Sequence, residues 1–154
     1  YWGGSSGEGL IVPPSPDVVD AAHRNGVRVL GTVFMPQTAH GGKMEWLEDL
    51  LVKNEDGSYP VADKLIEVAQ TYGFEGWFMN QETEGTDEEP LTADHAARMQ
   101  QFIQYFKEQA PDLDLVYYDS MTVDGKMDWQ NALTEENLAY LVSEDGDPVA
   151  DAMF

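Results

Sequence analysis

The sequence predicts an α/β fold in which strands and helices alternate around a parallel sheet, and three observations carry that reading. Apolar, β-branched or aromatic runs recur over residues 27–34, 74–82 and 113–121, with segments of helical apolar spacing between and after them. Polar and aromatic residues gather at the C-terminal ends of those runs. No GxGxxG or GxxxxGKS/T phosphate loop joins a strand to a helix, as a doubly wound nucleotide-binding sheet would usually require. The architecture that remains is a (β/α)8 TIM barrel, which places its functional residues at strand ends. Such a barrel takes about 250 residues, so the 154 present cover roughly its central part.

The elements follow in order. Tyr1 and Trp2 read as a strand end that runs into a Gly and Ser loop over residues 3–7, suited to lying against a ligand. Pro13, Pro14 and Pro16 lead into a helix with Ser15 as its cap and Val18, Val19 and Ala22 as its inner face; Asn25 and Gly26 close it. Residues 27–34 form a strand stopped by Pro36, and residues 44–52 a short amphipathic helix. After a turn at 54–58, Leu65, Ile66, Val68 and Ala69 mark the inner face of a helix over 61–72, ended by Gly73.

The strand over 74–82 opens an acidic loop that runs to Pro90. A helix over 92–109 follows, with Thr92 or Asp94 near its start and Ala96, Met99, Phe102, Ile103 and Phe106 on one face. Pro111 stops it. Residues 113–121 form another strand, a loop carries Trp129, and Thr134 caps a last helix over 134–141 with Glu135 and Glu136 in its first turn. The final residues, Asp151 to Phe154, read as part of a further strand.

Eight basic residues against 29 acidic ones give a formal charge of −21. That charge repels nucleic acid phosphates and anionic lipid surfaces, whereas a neutral partner is not excluded. A hydrophobic content of 42% and an aromatic content of 11% place the chain with folded domains rather than disordered ones. The absence of cysteine removes disulfides, thiolate nucleophiles and cysteine zinc sites together. No run approaches the roughly 18 apolar residues of a membrane helix, so no membrane insertion is expected. The first nine residues lack the order of a signal peptide. With no internal repeat or low-complexity linker, residues 1–154 read as one partial domain.

The most informative stretch is the end of the strand over 74–82. Phe74, Gly76, Trp77, Phe78 and Met79 give way to Asn80, Gln81 and Glu82. Side chains alternate along a strand, so Asn80 and Glu82 point the same way. An amide and a carboxyl thus form a paired polar site at the end of a buried strand. Trp77 and Phe78 read as core. His23 reads as a surface or packing residue, and His40 and His95 are isolated, which argues against a histidine metal site. The acidic groups Asp87, Glu88 and Glu89, and Glu144, Asp145 and Asp147, lack the spacing of a calcium-binding EF-hand loop and read as solvated loops.

Taken together, the opening Tyr1-Trp2-Gly3-Gly4, the segment from Pro13 to Phe34 with Ala22, His23, Arg24, Asn25 and Gly26, and the strand ending Asn80-Gln81-Glu82 resemble the endo-β-N-acetylglucosaminidases of glycoside hydrolase family 85. The resemblance extends over nearly the whole chain. It implies cleavage of the β-1,4 bond in the N,N'-diacetylchitobiose core of N-linked glycans, with the sugar's own 2-acetamido group as nucleophile and an oxazoline intermediate. Transfer to a sugar hydroxyl in place of water would follow from the same intermediate.

On this resemblance Glu82 is the general acid and base and Asn80 orients the acetamido group. Tyr118 contacts the acetamido region, Trp129 borders the acceptor side, and Trp2 with the loop over 3–7 and Asp119 lies near the glycan. A register slip of one residue would exchange Tyr117 and Tyr118. No metal or cofactor is implied. The partners implied are the N-glycan itself, the remainder of the barrel and β-rich accessory modules. The location implied is secreted or cell-surface for a bacterial member and cytoplasmic for a eukaryotic one. Two other readings stay open: a retaining glycosidase that pairs Glu82 with Asp119 or Glu84, and a barrel fragment that binds glycans without turnover.

Overall fold

A computed structural model describes residues 12–118, together with the backbone of residues 120–121 and 127–128. Helix α1 (Pro16–Arg24) leads into strand β1 (Leu30–Met35), followed by a 3₁₀ turn (Thr38–His40), α2 (Met44–Leu50) and α3 (Pro60–Tyr72). Next come β2 (Gly76–Gln81), α4 (Ala93–Gln109), β3 (Asp114–Tyr117) and the two-residue strands β4 (Ser120–Met121) and β5 (Met127–Asp128). Strands β1, β2 and β3 lie side by side in chain order, all parallel, as the alternation of segments predicts. The described residues make an open three-stranded sheet, not a closed barrel.

The core forms on one face of that sheet. Val33, Met35, Trp77, Met79, Leu115 and Tyr117 are buried there, in one cluster with Leu47 of α2, Leu65 of α3 and Phe102 and Phe106 of α4. The other face carries Thr32, Phe34, Phe78, Asn80 and Val116, all half-buried. Steady strand order with the helices packed on one face is winding in a single sense, whereas a doubly wound sheet reverses its order partway. No described helix is long and apolar enough to cross a membrane.

Trp77 anchors this packing. Its indole N–H donates to the Leu65 carbonyl at 2.9 Å, in a fully buried setting. The ring fits over β1 because its register partner there is Gly31, where a Cβ would come within 2.5 Å of two indole carbons. Phe74 meets the same ring edge-on, with centroids 5.3 Å apart.

Helix ends follow the stop signals in the sequence. Gly26 and Gly73 take positive φ angles of 68° and 70°, and the Gly26 and Val27 N–H groups return to the carbonyls of His23 and Ala22. Helix α4 opens with a capping box in which the Thr92 side chain accepts from the His95 backbone while His95 Nδ1 accepts the Thr92 N–H at 3.1 Å. Nε2 is therefore the protonated nitrogen of the neutral ring, and it donates to Glu48 Oε1 at 2.9 Å. Arg98 grips both oxygens of Glu48, at 3.1 and 2.7 Å, and so ties α4 to α2.

Several sequence expectations need correction. Val27 is 55% exposed and β1 begins at Leu30, because Val27 belongs to the turn that closes α1. Val18 is 59% exposed and Val19 is the buried residue of α1, since neighbours on a helix diverge by about 100°. Ser15 sits at the cap position but satisfies the helix through its carbonyl, not its hydroxyl. Helix α2 stops at Leu50, leaving Val52 exposed. The run over 113–121 divides after Tyr117, and Ser120 pairs antiparallel with Asp128 instead of continuing beside β2. The expected helix over 134–141 and the closing strand lie outside the described residues.

Replacing Gly31 with Ala should force the Trp77 indole off its seat and destabilise the chain by about 1–3 kcal/mol, read as a lower urea midpoint. A second outcome concerns acid. Hydrogen bonding to Arg98 holds the Glu48 carboxyl below its ordinary value of 4.5. Its contribution is therefore present above pH 4.5 and lost as pH falls through the lower folded-state value. Urea unfolding from pH 7 downward should show a shallower acid loss for Glu48→Gln than for the parent chain.

Candidate functional site

The site is built where β1, β2 and β3 end. The register sets Phe34 opposite Asn80 and Tyr117 opposite Met79, so one further residue brings Tyr118 level with Asn80 on the half-buried face. The Tyr118 N–H donates to the Met79 carbonyl at 2.9 Å, and its ring meets Phe78 edge-on with centroids 6.5 Å apart. Tyr117 points the other way into the core, 3% exposed. The two tyrosines thus fall on opposite faces, and Tyr118 is the one that shares a face with Asn80.

Glu82 is the first residue beyond β2. Its N–H donates to the Met35 carbonyl at 2.8 Å, which carries the pairing of β1 and β2 one step further. Burial alternates through this stretch, with Gln81 and Thr83 buried and Asn80 and Glu82 half-buried. Asn80 and Glu82 therefore share the open face, spaced by about 6.6 Å of strand. The side-chain oxygen of Asn80 is itself fully buried and has no hydrogen-bond partner among the described residues. A buried amide carbonyl left without a donor costs free energy that binding a donor would recover.

The flanking loops are held by their own polar groups. Glu84 accepts from the Thr38 N–H at 3.0 Å, and the Thr38 hydroxyl donates to the Gly85 carbonyl at 3.1 Å. Hydrogen bonding from the Thr38 N–H holds the Glu84 carboxyl below its ordinary range. The acidic loop closes on itself through Thr86 N–H to Glu89 O and Leu91 N–H to Glu84 O, leaving Asp87, Glu88 and Glu89 exposed to solvent. Among the described residues no three His, Asp or Glu side chains gather as a metal site. A cavity of about 360 Å³ between the start of α2 and the end of the acidic loop is lined by Met44, Glu45, Glu48, Glu89, Pro90 and His95, and includes none of the expected site residues.

Of those expected residues, Asn80, Glu82 and Tyr118 come together, whereas Trp2, Asp119 and Trp129 lie outside the described residues. Trp77 is core as expected, but Phe78 lies on the open face beside Tyr118. Phe34 and Thr32, read only as strand residues, line the same face. Alternation from Asn80 across the sheet would have found them had the pairing register been known. His23 lies against Glu75 at 2.7 Å, a structural pairing.

The model of glycosyl hydrolase family 85 matches residues 1–154. The chain is 36% identical over 141 residues to cytosolic endo-beta-N-acetylglucosaminidase 2 of Arabidopsis thaliana, covering 89% of this chain and 19% of that protein. It is 34% identical over 131 residues to the cytosolic endo-beta-N-acetylglucosaminidase of Mus musculus, with 82% and 17% covered. Among solved structures, the glycoside hydrolase domain of Endo-D from Streptococcus pneumoniae R6 superposes with a TM-score of 0.63 at 38% identity, over 90% of this chain and 22% of that one. The chain thus spans about a fifth of the length of the relatives it matches. On the match along its entire length, the chain belongs to glycosyl hydrolase family 85.

Proposed function

We propose that this chain is part of the barrel catalytic domain of an endo-β-N-acetylglucosaminidase and carries its reacting groups. The substrate is the N,N'-diacetylchitobiose core of an N-linked glycan, cut at the β-1,4 bond between its two N-acetylglucosamines. The observation that carries this reading is the Asn80 side-chain oxygen, buried and without a donor among the described residues, on the face it shares with Glu82. An acetamido N–H is a donor of the kind that oxygen lacks.

With the acetamido N–H held by Asn80, the acetamido carbonyl oxygen attacks the anomeric carbon of its own sugar. The bond to the leaving oxygen breaks as Glu82, entering the reaction protonated, gives that oxygen its proton. The product is an oxazolinium ion, the N-protonated form of the oxazoline, with positive charge on the nitrogen whose N–H Asn80 holds. Glu82, now a carboxylate, takes a proton from water as the water attacks the anomeric carbon and reopens the ring. Two inversions leave the configuration retained, and a sugar hydroxyl in place of water gives transglycosylation. A neutral amide partner suits this chemistry because it sets no second negative charge beside the acid. Tyr118 borders the acetamido group, and Trp2, Trp129 and Asp119 complete the glycan contacts. The chemistry needs no metal or cofactor.

The relatives bear cytosolic names, so the secreted location expected for a bacterial member gains no support from them. A two-carboxylate mechanism through Glu84 is disfavoured by the Thr38 N–H that already occupies that carboxylate.

Mass spectrometry of a high-mannose N-glycopeptide tests the proposal in a catalytic domain containing this sequence. One N-acetylglucosamine should remain on the peptide, and Glu82→Gln and Asn80→Ala should each lower the rate by at least about 100-fold. A pre-formed core oxazoline should serve as donor for the parent. Full activity in Glu82→Gln, or a glycosyl-enzyme trapped on a carboxylate, would rule the mechanism out. Glu84→Gln should keep most of the parent's cleavage rate, since its carboxylate serves the loop.

A further inference from the structure

Between Asn80 and Glu82 the chain places a residue that faces away from the site. Gln81 is fully buried, and its side chain holds both backbone groups of Thr83: Nε2 donates to the Thr83 carbonyl at 2.9 Å, and Oε1 accepts the Thr83 N–H at 2.8 Å. Thr83 is 1% exposed, and its hydroxyl donates to the Pro36 carbonyl at 2.7 Å. A Cβ on Gly42 would collide with that same carbonyl and come within 2.9 Å of the Thr83 hydroxyl, so the loop after β1 closes tightly over the pair. Glu82 itself is fastened by its N–H to the Met35 carbonyl.

The arrangement solves a specific problem. Glu82 lies past the last residue of β2, and beyond its own N–H bond to Met35 the ladder no longer fixes the backbone, so its carboxyl would swing with the peptide that follows. Strand ends usually satisfy such backbone groups with water or a neighbouring strand. Here a buried amide satisfies the residue after Glu82 on both sides, and a buried hydroxyl ties it to the end of β1. None of these groups reaches the open face.

We propose that Gln81 and Thr83 are positioning residues that fix the Glu82 carboxyl at the height of the leaving oxygen, relative to Asn80. The proposal rests on the endoglycosidase reading above. A misplacement of about 1 Å can cost on the order of 100-fold in rate, and the cost falls on proton donation. It should therefore depend on how much the leaving group needs a proton.

The test compares Gln81→Met, Thr83→Val and Thr83→Ser in a catalytic domain containing this sequence, on two substrates. One is the N-glycopeptide, whose sugar leaving group must be protonated; the other is an aryl glycoside of the same glycan core with an acidic phenol, which leaves unaided. Gln81→Met and Thr83→Val should lower kcat on the glycopeptide by about 10- to 100-fold with KM nearly unchanged. On the aryl glycoside kcat/KM, which reports only the steps up to release of the phenol and not the later attack of water that Glu82 assists as base, should fall by no more than about three-fold, because little acid assistance is needed there. Thr83→Ser, which keeps the hydroxyl, should recover most of the rate.

Equal losses on both substrates, or a rise in KM alone, would assign the pair a merely structural part and overturn the proposal. So would parent-like kcat in both Gln81→Met and Thr83→Val. The Glu82→Gln control separates the two levels: if it retains cleavage, the endoglycosidase reading fails, and the positioning role with it; if it is silent while the clamp variants match the parent, the positioning role alone fails.

Discussion

The side-chain parity of β2 is the constraint on which the rest of the structure depends. Trp77 is the largest group on that strand, and only one orientation lets its indole cross Gly31, meet Phe74 and donate to the Leu65 carbonyl. A strand has two faces and a period of two, so seating Trp77 among the helices also decides where Met79, Gln81, Phe78, Asn80 and Glu82 go. An interaction some distance from the strand end thereby aims the amide and the carboxyl at the same open face. A one-residue slip would bury both.

Within that frame the strand ends divide their polar groups into two sets. Gln81, Thr83, Thr38 and Glu84 are consumed by one another and by backbone groups. The Asn80 oxygen stands apart, buried without a donor among the described residues. Local rules of polar satisfaction tend to be broken where a ligand completes them. The contrast between a satisfied scaffold and one unsatisfied acceptor, side by side on the same strand, is what distinguishes this strand end from an ordinary solvated one.

Much of this was legible from the residues. The apolar spacing of α3 and α4, the stops at Gly26 and Gly73, and the alternation that pairs Asn80 with Glu82 are local, and local signals survive in a sequence. Val27 shows the limit: its β-branched side chain suggested a strand, but its N–H was already committed to closing α1. The faces taken by Tyr117 and Tyr118 depended on pairing with β2, which no single segment encodes. Phe34 joins the site face, and Gln81 reaches around the backbone, only through contacts between chain segments some 46 residues apart or through a bend that composition does not mark. His95 looked isolated because its partners Thr92 and Glu48 come from its own cap and from another helix.

That histidine has a consequence for how so acidic a chain manages its charge. Capping boxes commonly take their acceptor from a glutamate, which here would bring another negative group up to Glu48, beside Glu45 and Glu89. The imidazole supplies the acceptor from a neutral ring and, from its opposite edge, a donor to Glu48. One side chain thus closes the start of α4 and fastens it to α2 without adding to a formal charge of −21. A glutamine could accept for the cap or donate to the neighbour, but its oxygen and nitrogen share one carbon and cannot face both ways across a ring's width. The loop that follows the site is anchored, at its far end, by a group chosen for its two-sidedness and not for its charge.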